Sequence, residues 1–461
     1  MKERVTQNKM GTLPVGKLML HMGIPMILSM VLQAVYNIVD SYFVSNMPDT
    51  ASATGIGESA VTALTLAFPV QMLIVAIGIG TGVGTNALLA RTLGQGNRKK
   101  AGTIAGNAMT LAGIIYAVFL IFGIFGTDAF IATQTKDPMV REMADQYLGI
   151  CCAISFGIVF FSIFEKVLQA TGKSLFSTIA QVAGAVTNMI LDPIMIYGLL
   201  GCPAFGISGA AYATVIGQIV SLILAAGFHF KLNREIPFHF NNLKLHGRIV
   251  AEIYSIGVPA IIAQGVMSIM NYGINIIFGK IGSPYVTAYG IFYKVQQFVL
   301  FAAFGLRDAI TPIVSFNYGM KDQKRVRDGM KFGMLYTFVI MIVCLIALEI
   351  FAAPLAGLFS LSAQTKDLCI TAMRVVSVSF VFAGANIAFQ GIFQALGCGI
   401  ESLILSLLRQ LIFVLPTAWA FSVLAPDIVW ITFIIAEALT AAIACMFMKK
   451  INTRKIKSSG V

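Results

Sequence analysis

The chain has 461 residues, of which 57% are hydrophobic and only 11% are charged. A soluble domain carries roughly 25% charged residues, so these are too few to cover the surfaces of the two or more soluble domains that this length would form. The composition therefore argues against a soluble enzyme. Apolar blocks such as 101–125 and 332–351 have the length of about 20 residues that a helix needs to cross a bilayer. They predict an all-α integral membrane protein.

Twelve apolar segments predict twelve transmembrane helices. The first six are expected at 17–45, 58–90, 101–125, 139–168, 174–200 and 207–230. The other six are expected at 251–279, 285–317, 328–351, 368–396, 400–424 and 428–448. The predicted organisation is an N-terminal tail (1–16), an N-lobe (17–230), an inter-lobe loop (231–250), a C-lobe (251–448) and a C-terminal tail (449–461).

The net charge of +12 does not indicate nucleic-acid binding, because the basic residues sit between the apolar blocks. They cluster in alternate connections, at 2–17, 91–100, 166–173, 231–248, 321–331 and 449–457. This positive-inside pattern places both termini and the inter-lobe loop on the cytoplasmic side of a bacterial-type plasma membrane. The cysteines show no metal-ligand spacing, and the glycines at 78–84 lack the strand and the Gly-Lys-Ser/Thr of a phosphate loop. No cofactor is therefore expected.

The second half of the chain repeats motifs of the first half. Gly-Ile-Pro at 23–25 recurs as Gly-Val-Pro at 257–259, and Gln-Thr-Lys-Asp at 134–137 recurs at 364–367. A repeat of six spans enters the membrane in the same direction each time. The two six-helix lobes are therefore expected to be pseudo-symmetric about an axis along the membrane normal.

Taken together, these motifs resemble the multidrug and toxic compound extrusion (MATE) family of the MOP superfamily, specifically its bacterial DNA-damage-inducible-F-like branch. The resemblance covers roughly residues 11–450. It rests on Gly-Ile-Pro leading to Asp40, on the motifs at 78–82, 93–96 and 168–172, on Asn188 to Pro193, and on 312–319. It implies a two-lobe exporter of organic cations that is driven by inward Na⁺ or H⁺.

Asp40 is the first candidate for coupling to an ion. A carboxylate at membrane depth costs about 2.5–3.5 kcal/mol on insertion scales unless it faces a wet or protein interior. Gln33, Tyr36, Asn37 and Asp40 follow helical spacing and form one polar stripe. The alternative is that Asp40 lies near the outer interface of the membrane.

Asp192 is the second acid within an apolar segment, and Asn188 lies one helical turn before it. Pro193 cannot donate a hydrogen bond, so the carbonyl of Met189 loses its helical partner. A carboxylate, an amide oxygen and a free carbonyl in one turn suit a hard cation. The alternative is a hydrogen-bonded pair that only stabilises a proline kink.

Matched depth predicts that Asp40, Asp192 and Thr214 share one pocket, because all three lie roughly 8–12 Å below the outer boundary. In pumps of the family that the sequence resembles, a threonine of the sixth helix joins the cation site. Thr214 is the best match and Ser208 a weaker one. If the coupling ion is Na⁺, its ligands are expected to be Asp40, Asn188, Asp192 and Thr214.

The C-lobe has intramembrane charges of its own. Lys294 and Glu437 lie at one depth, and Asp308 and Arg409 lie at another. Unpaired charges there are costly, so two ion pairs are expected, Lys294 with Glu437 and Asp308 with Arg409, acting as a structural lock. Arg307 next to Asp308 departs from the uncharged residues expected before the family's proline in this helix.

Further polar residues are candidates for lining a substrate cavity, although each could equally form hydrogen bonds between helices. They are Gln33, Tyr36, Asn37, Gln71, Gln181, Gln296 and Glu437. Pro25 frees the carbonyl of His21 and predicts a hinge in the first helix.

The resulting prediction is a monomeric, Na⁺- or H⁺-coupled antiporter that exports cationic amphiphilic drugs by alternating access, contacts membrane lipids and is not an enzyme. The alternative within the same superfamily is a lipid-linked oligosaccharide flippase, which would need a cationic central cavity. A receptor or scaffold that does not transport is a third possibility, and the repeat and the buried acids disfavour it.

Overall fold

The computed structural model describes residues 8–49, 55–237, 239–357, 359 and 361–457, and within these ranges it has helices and no strands. The long helices are α1 (Val15–Ser45), α2 (Ile56–Gly94), α3 (Arg98–Phe125), α4 (Pro138–Ala153 and Phe156–Ala170), α5 (Ser174–Tyr197), α6 (Ile207–Leu232), α7 (Gly247–Ile281), α8 (Ser283–Gly319), α9 (Gln323–Gly357), α10 (Ala363–Ser377 and Phe380–Ala395), α11 (Gly399–Leu424) and α12 (Ile431–Ile451).

Ten of these helices are each long and apolar enough to cross a membrane, and counting each of the bent helices α4 and α10 as one span brings the total to 12. The predicted all-α, multi-spanning fold is confirmed. The short helices Lys9–Thr12 and Thr127–Ala132 precede α1 and follow α3.

α4 and α10 were each predicted to be continuous, and this prediction is wrong. α4 bends by 45° after Ala153, and α10 bends by 51° after Ser377. In α10 the hydroxyl of Ser379 donates to the carbonyl of Val376 at 2.6 Å, so a side chain competes for a backbone acceptor at the bend. Neither bend has a proline, which is why apolar periodicity did not reveal it.

Helix starts follow ordinary capping chemistry. Asp137 accepts hydrogen bonds from the backbone N–H groups of Met139 (2.9 Å) and Val140 (3.2 Å) at the start of α4. In the second copy of the same motif, α10 begins earlier and the side chain of Ser362 caps it by accepting from the N–H of Thr365 at 3.3 Å. The repeated Gln-Thr-Lys-Asp motif therefore caps a helix only in the first half.

The chain forms two compact units. The N-terminal unit comprises Leu28–Leu89 and Asn97–Tyr254, and the C-terminal unit comprises Met1–Ile27, Ala90–Gly96 and Ser255–Val461. α1 thus passes from one unit to the other after Ile27. The lobe bounds 17–230 and 251–448 stay a prediction.

The C-terminal unit has a large aromatic core. Tyr289 stacks on Phe433 with ring centroids 6.0 Å apart, and Phe278 meets the ring of Trp430 edge-on at 5.1 Å. The N-terminal unit has a smaller buried cluster around Phe161, a residue that also lines a cavity in this unit.

Candidate functional site

A cavity of about 310 Å³ lies inside the N-terminal unit, with walls from α1, α2, α4, α5 and α6. Most of its lining is apolar, and its volume is at the lower end of the range of about 300–1,000 Å³ that is typical of small-molecule pockets. Its polar lining residues are Ser29, Gln33, Tyr36, Asp40, Ser41, Gln71, Tyr147, Gln181, Asn188, Thr214, Gln218 and Ser221.

Three of the four predicted ion-coupling residues line this cavity, and the fourth, Asp192, is hydrogen-bonded to one of them. The side-chain amide of Asn188 on α5 donates to the Oδ1 atom of Asp192 at 3.2 Å and to the hydroxyl of Thr214 on α6 at 3.4 Å. Asp40 on α1 lines the cavity with Asn188 and Thr214, and it is near enough to Asp192 for their charges to interact. The hydroxyl of Ser208 instead donates to Gln146, so Thr214 is the threonine or serine that joins the cluster.

Three oxygen atoms of this cluster are buried without a hydrogen-bond donor among the described residues: Asp40 Oδ1, Asn188 Oδ1 and Asp192 Oδ2. A buried acceptor without a donor costs about 1–3 kcal/mol. None of the described residues that line the cavity is basic. Two carboxylates in such surroundings are stabilised by a bound cation or by protonation.

Glycines bring α5 and α6 together at this cluster. A Cβ atom on Gly217 of α6 would lie 2.6 Å from the carbonyl oxygen of Gly184 on α5 and 3.1 Å from the Cβ atom of Asn188. The first separation is too short for a real carbon atom. The absence of side chains at these two positions therefore allows the backbones to approach until Asn188 reaches Thr214.

Polar contacts between α1 and α5 form one wall of the cavity. The hydroxyl of Ser29 donates to Gln181 Oε1, and the amide of Gln181 donates to Gln33 Oε1 at 3.2 Å. Gln33 and Gln181 therefore line the cavity and also link two helices. Ser29 was not predicted, although it lies four residues before Gln33 on the same helical face.

Another wall of the cavity joins α2 to α4. The amide of Gln71 donates to the hydroxyl of Tyr147 at 3.1 Å and to the sulfur of Cys151 at 3.4 Å. Tyr147 and Cys151 were not predicted, because only the fold brings them to Gln71.

The other predicted residues lie elsewhere. Tyr36 lines the cavity, whereas the side chain of Asn37 is outside the described part of the structure. Gln296 and Glu437 are buried in the C-terminal unit and do not line this cavity. They are therefore not lining residues of the cavity that contains Asp40. Pro25 lies inside α1, close to the residue after which the helix changes unit.

The predicted ion pairs of the C-terminal unit have different partners from those expected. Glu437 accepts from Arg409 through one oxygen, Oε1, at 2.9 Å from Nε and 2.7 Å from a terminal guanidinium nitrogen. The other oxygen, Oε2, accepts from the amide of Asn386 at 2.7 Å. The pairing of Glu437 with Lys294 is therefore wrong, and Lys294 is exposed.

Asp308 forms an ion pair with its neighbour Arg307 at 2.9 Å, whereas Arg409 pairs with Glu437. Equal depth did not identify these partners, because it places a charge in a layer and leaves its direction around the helix axis open. Leu408–Ile412 is a π-helical turn, in which the N–H of Phe413 donates to the carbonyl of Leu408 at 2.9 Å. Such a turn changes the direction in which Arg409 points.

Among the described residues no group of three or more histidine, cysteine, aspartate or glutamate side chains is placed to hold a metal ion. The acid cluster combines two carboxylates with neutral amide and hydroxyl oxygens. It suits a monovalent cation or exchangeable protons.

The family match to known proteins covers both copies of the repeat. The family model described as MatE matches residues 25–194 and 259–420, well over half of the chain. The two matched segments begin at Pro25 and Pro259, the prolines that the repeated motif aligns.

The whole chain is similar to multidrug exporters and to solved MATE structures. It is 25% identical over 447 residues to the multidrug export protein MepA of Staphylococcus aureus (strain MSSA476), covering 96% of this chain and 95% of that protein. A crystal structure of MATE in complex with MaL6 matches with a TM-score of 0.89 at 25% identity over 98% of this chain and 99% of that one. An outward-facing multidrug resistance MATE family transporter of the MOP superfamily matches equally well, at 0.89 and 25% over 96% and 97%.

Proposed function

The chain belongs to the MatE family of membrane transporters, and on that basis we propose that it is a secondary active multidrug efflux transporter. Its relative in Staphylococcus aureus is a multidrug export protein, and the two chains align over nearly their full lengths. The specific proposal is antiport, in which cationic amphiphilic compounds leave the cell while Na⁺ or H⁺ enters. The branch of the family predicted from the motifs stays a prediction.

The proposed coupling site rests on three buried oxygens, of Asp40, Asn188 and Asp192, that have no hydrogen-bond donor among the described residues. A monovalent cation seated among them would bind all three oxygens and neutralise one of the two negative charges. Protonation would do the same by converting carboxylates into donors. Thr214, which already contacts Asn188, supplies a further oxygen.

The cavity next to this cluster is the proposed binding site for the exported compound. Its aromatic and aliphatic walls would contact the flat apolar part of the compound, and Asp40 and the glutamine side chains would face its positive charge. Because Asp40 belongs both to the cavity and to the cluster, the ion and the compound would compete for the same carboxylate. Competition of this kind is what couples antiport.

Pro25 is the proposed hinge of alternating access. It cannot donate to the carbonyl of His21, and it lies two residues before Ile27, after which α1 passes into the N-terminal unit. One positive charge that moves inward gains about 2.3 kcal/mol per 100 mV of membrane potential, and each positive charge that the exported compound carries outward costs the same amount. A one-for-one exchange of two monovalent cations is therefore driven by the concentration gradient of the coupling ion.

The flippase alternative is not favoured. A pyrophosphate-linked substrate needs a cationic cavity, whereas the described lining residues of this cavity include Asp40 and no base.

Dye transport in proteoliposomes tests the proposal. Purified protein is reconstituted in vesicles loaded with ethidium, and Na⁺ and pH gradients are imposed separately. We expect efflux driven by at least one inward gradient, with none in protein-free vesicles. Equal efflux with and without either gradient would show a passive carrier and overturn the antiport proposal.

The proposed topology places both termini and residues 231–250 in the cytoplasm. A reporter enzyme that is active only outside the cytoplasm, fused after Lys457, should be inactive. If the fused enzyme were active, the C-terminus would lie outside the cytoplasm and the proposed orientation would be wrong.

A further inference from the structure

A second cavity, of about 220 Å³, lies where α12 ends, and no residue of the proposed coupling site lines it. Its walls come from the start of α11, from the last turns of α12 and from the turn Asn452–Lys457 that follows. All of these segments belong to the C-terminal unit. The volume is below the range that encloses drug-sized ligands, so the cavity suits a smaller chemical group.

The charged lining of this cavity is mainly basic. Lys450, Arg454 and Lys455 line it, and Glu401 is the one acid among its described lining residues. Glu401 lies in the first turn of α11, where the positive end of the helix dipole partly offsets its charge. Three bases against one acid make the opening attractive to an anion.

Lys455 is held in place by the backbone at the end of α10. Its ammonium group donates to the carbonyl of Leu396 at 2.8 Å and to that of Gly397 at 3.3 Å. This contact closes one side of the cavity. Lys450 and Arg454 are more exposed and stand at the opening.

The remaining lining is apolar. Ile404 and Phe447 form part of the wall, and Ile400 is 67% exposed at its edge. A free anion would use only the charged part of this surface. A phospholipid would use both parts, since a glycerol ester joins its phosphate to apolar acyl chains at about the depth where a helix leaves the bilayer.

We propose that this cavity binds the headgroup of an anionic phospholipid. Lys450 and Arg454 contact the phosphate, and Ile404 and Phe447 contact the glycerol and the first acyl carbons. Basic pockets between transmembrane helices are suited to such headgroups, and each basic residue near an anionic lipid contributes about fivefold in affinity.

Native mass spectrometry of the full-length protein in detergent measures the binding. The probes are dioctanoyl phosphatidylglycerol, which is anionic, and dioctanoyl phosphatidylcholine, which has the same chains and no net charge. We expect the wild type to retain one phosphatidylglycerol in preference to phosphatidylcholine. The double variant Lys450→Gln/Arg454→Gln should bind phosphatidylglycerol about 25-fold more weakly and phosphatidylcholine unchanged.

Lys449→Gln is the matched control, because Lys449 is an exposed lysine next to Lys450 that does not line the cavity. It should bind phosphatidylglycerol like the wild type. Size-exclusion chromatography of each variant checks that it is folded. Lys455 is left intact because it also holds the end of α10.

Three results would overturn the proposal: equal retention of the two lipids by the wild type, equal weakening by Lys449→Gln and by the double variant, or binding of glycerol 3-phosphate as tight as that of the lipid. The last result would mean that the apolar wall contributes nothing and that the ligand is a free phosphate compound.

Discussion

The two units of this protein bury acidic side chains in opposite ways. In the C-terminal unit, Glu437 has both carboxylate oxygens occupied, one by Arg409 and one by Asn386. In the N-terminal unit, Asp40 and Asp192 each keep a buried oxygen without a donor among the described residues. Asp40 also lines the cavity of the N-terminal unit. The C-terminal unit has an aromatic core that includes Tyr289 and Phe433.

In the proposed mechanism, this difference separates a structural charge from an exchangeable one. A carboxylate with a fixed guanidinium partner has no need of a mobile cation, and breaking the pair is costly. A carboxylate that faces a cavity without a base is stabilised by whatever cation or proton arrives. The presence of a charge in the membrane does not by itself identify a transport site. Whether the charge has a fixed partner distinguishes a structural charge from a transport site.

The largest expected effect comes from removing the exchangeable charges. Asp40→Asn and Asp192→Asn should each reduce gradient-driven ethidium efflux from proteoliposomes to the level of protein-free vesicles. The amide keeps the shape but neither binds Na⁺ as an anion nor exchanges a proton. Both variants should remain folded, because neither acid has an ion-pair partner to lose among the described residues.

Asp367→Asn is the control for this test, since Asp367 is exposed at the start of α10. It should transport like the wild type. Wild-type efflux by both Asp40→Asn and Asp192→Asn would place coupling elsewhere and erase the proposed contrast between the units.

The structural pair should respond in stability. Arg409→Gln leaves Glu437 buried and unpaired and should cost about 3–5 kcal/mol, which would appear as a lower yield and a lower thermal unfolding temperature of the purified protein. The double variant Arg409→Gln/Glu437→Gln should be milder, because it leaves no charge behind. Additive losses in the double-mutant cycle would contradict the pairing.

A smaller effect is expected in the binding of the exported compound. If the ion and the compound compete for Asp40, raising the concentration of the coupling ion should weaken ethidium binding to the purified wild type by about tenfold. The binding of ethidium by Asp40→Asn should not change. Ethidium must weaken ion binding by the same factor, and a failure of this reciprocity would exclude direct competition.

The smallest effect is expected at Asn188. Asn188→Ala should slow coupled efflux by about three- to tenfold, because a neutral amide oxygen is lost and water from the cavity can replace it. Thr187→Ala is the matched control, since the hydroxyl of Thr187 donates to the carbonyl of its own helix at Ala183. A loss at Asn188 as complete as that at Asp192 would make the amide an essential ligand.

Depth along the chain was enough to predict much of the coupling cluster. Apolar blocks of about 20 residues located the helices, and counting residues from their outer ends put Asp40, Asp192 and Thr214 in one layer. Helical spacing alone predicted that Asn188 and Asp192 share a face, and they are hydrogen-bonded. The same spacing, extended by one turn from Gln33, would have included Ser29.

The partners of the charged residues in the C-terminal unit could not be predicted from depth alone. Lys294 and Glu437 lie at one depth, yet Glu437 binds Arg409, which the sequence placed in a different layer. The π-helical turn at Leu408–Ile412 and the bends in α4 and α10 contain no proline, so the sequence pattern did not predict these changes of helix direction.

The amino-acid sequence by itself determined that this is a membrane protein of two six-helix repeats with unusual acids in its first half. These properties depend on the free energy of moving each segment from water into lipid, which is a sum along the chain. Only the tertiary structure decided which charges are paired, which oxygens lack donors and where a cavity remains. Those properties depend on the rotation of each helix about its axis and on the close approach that glycines such as Gly184 and Gly217 allow. Both are set by contacts between residues far apart in the sequence.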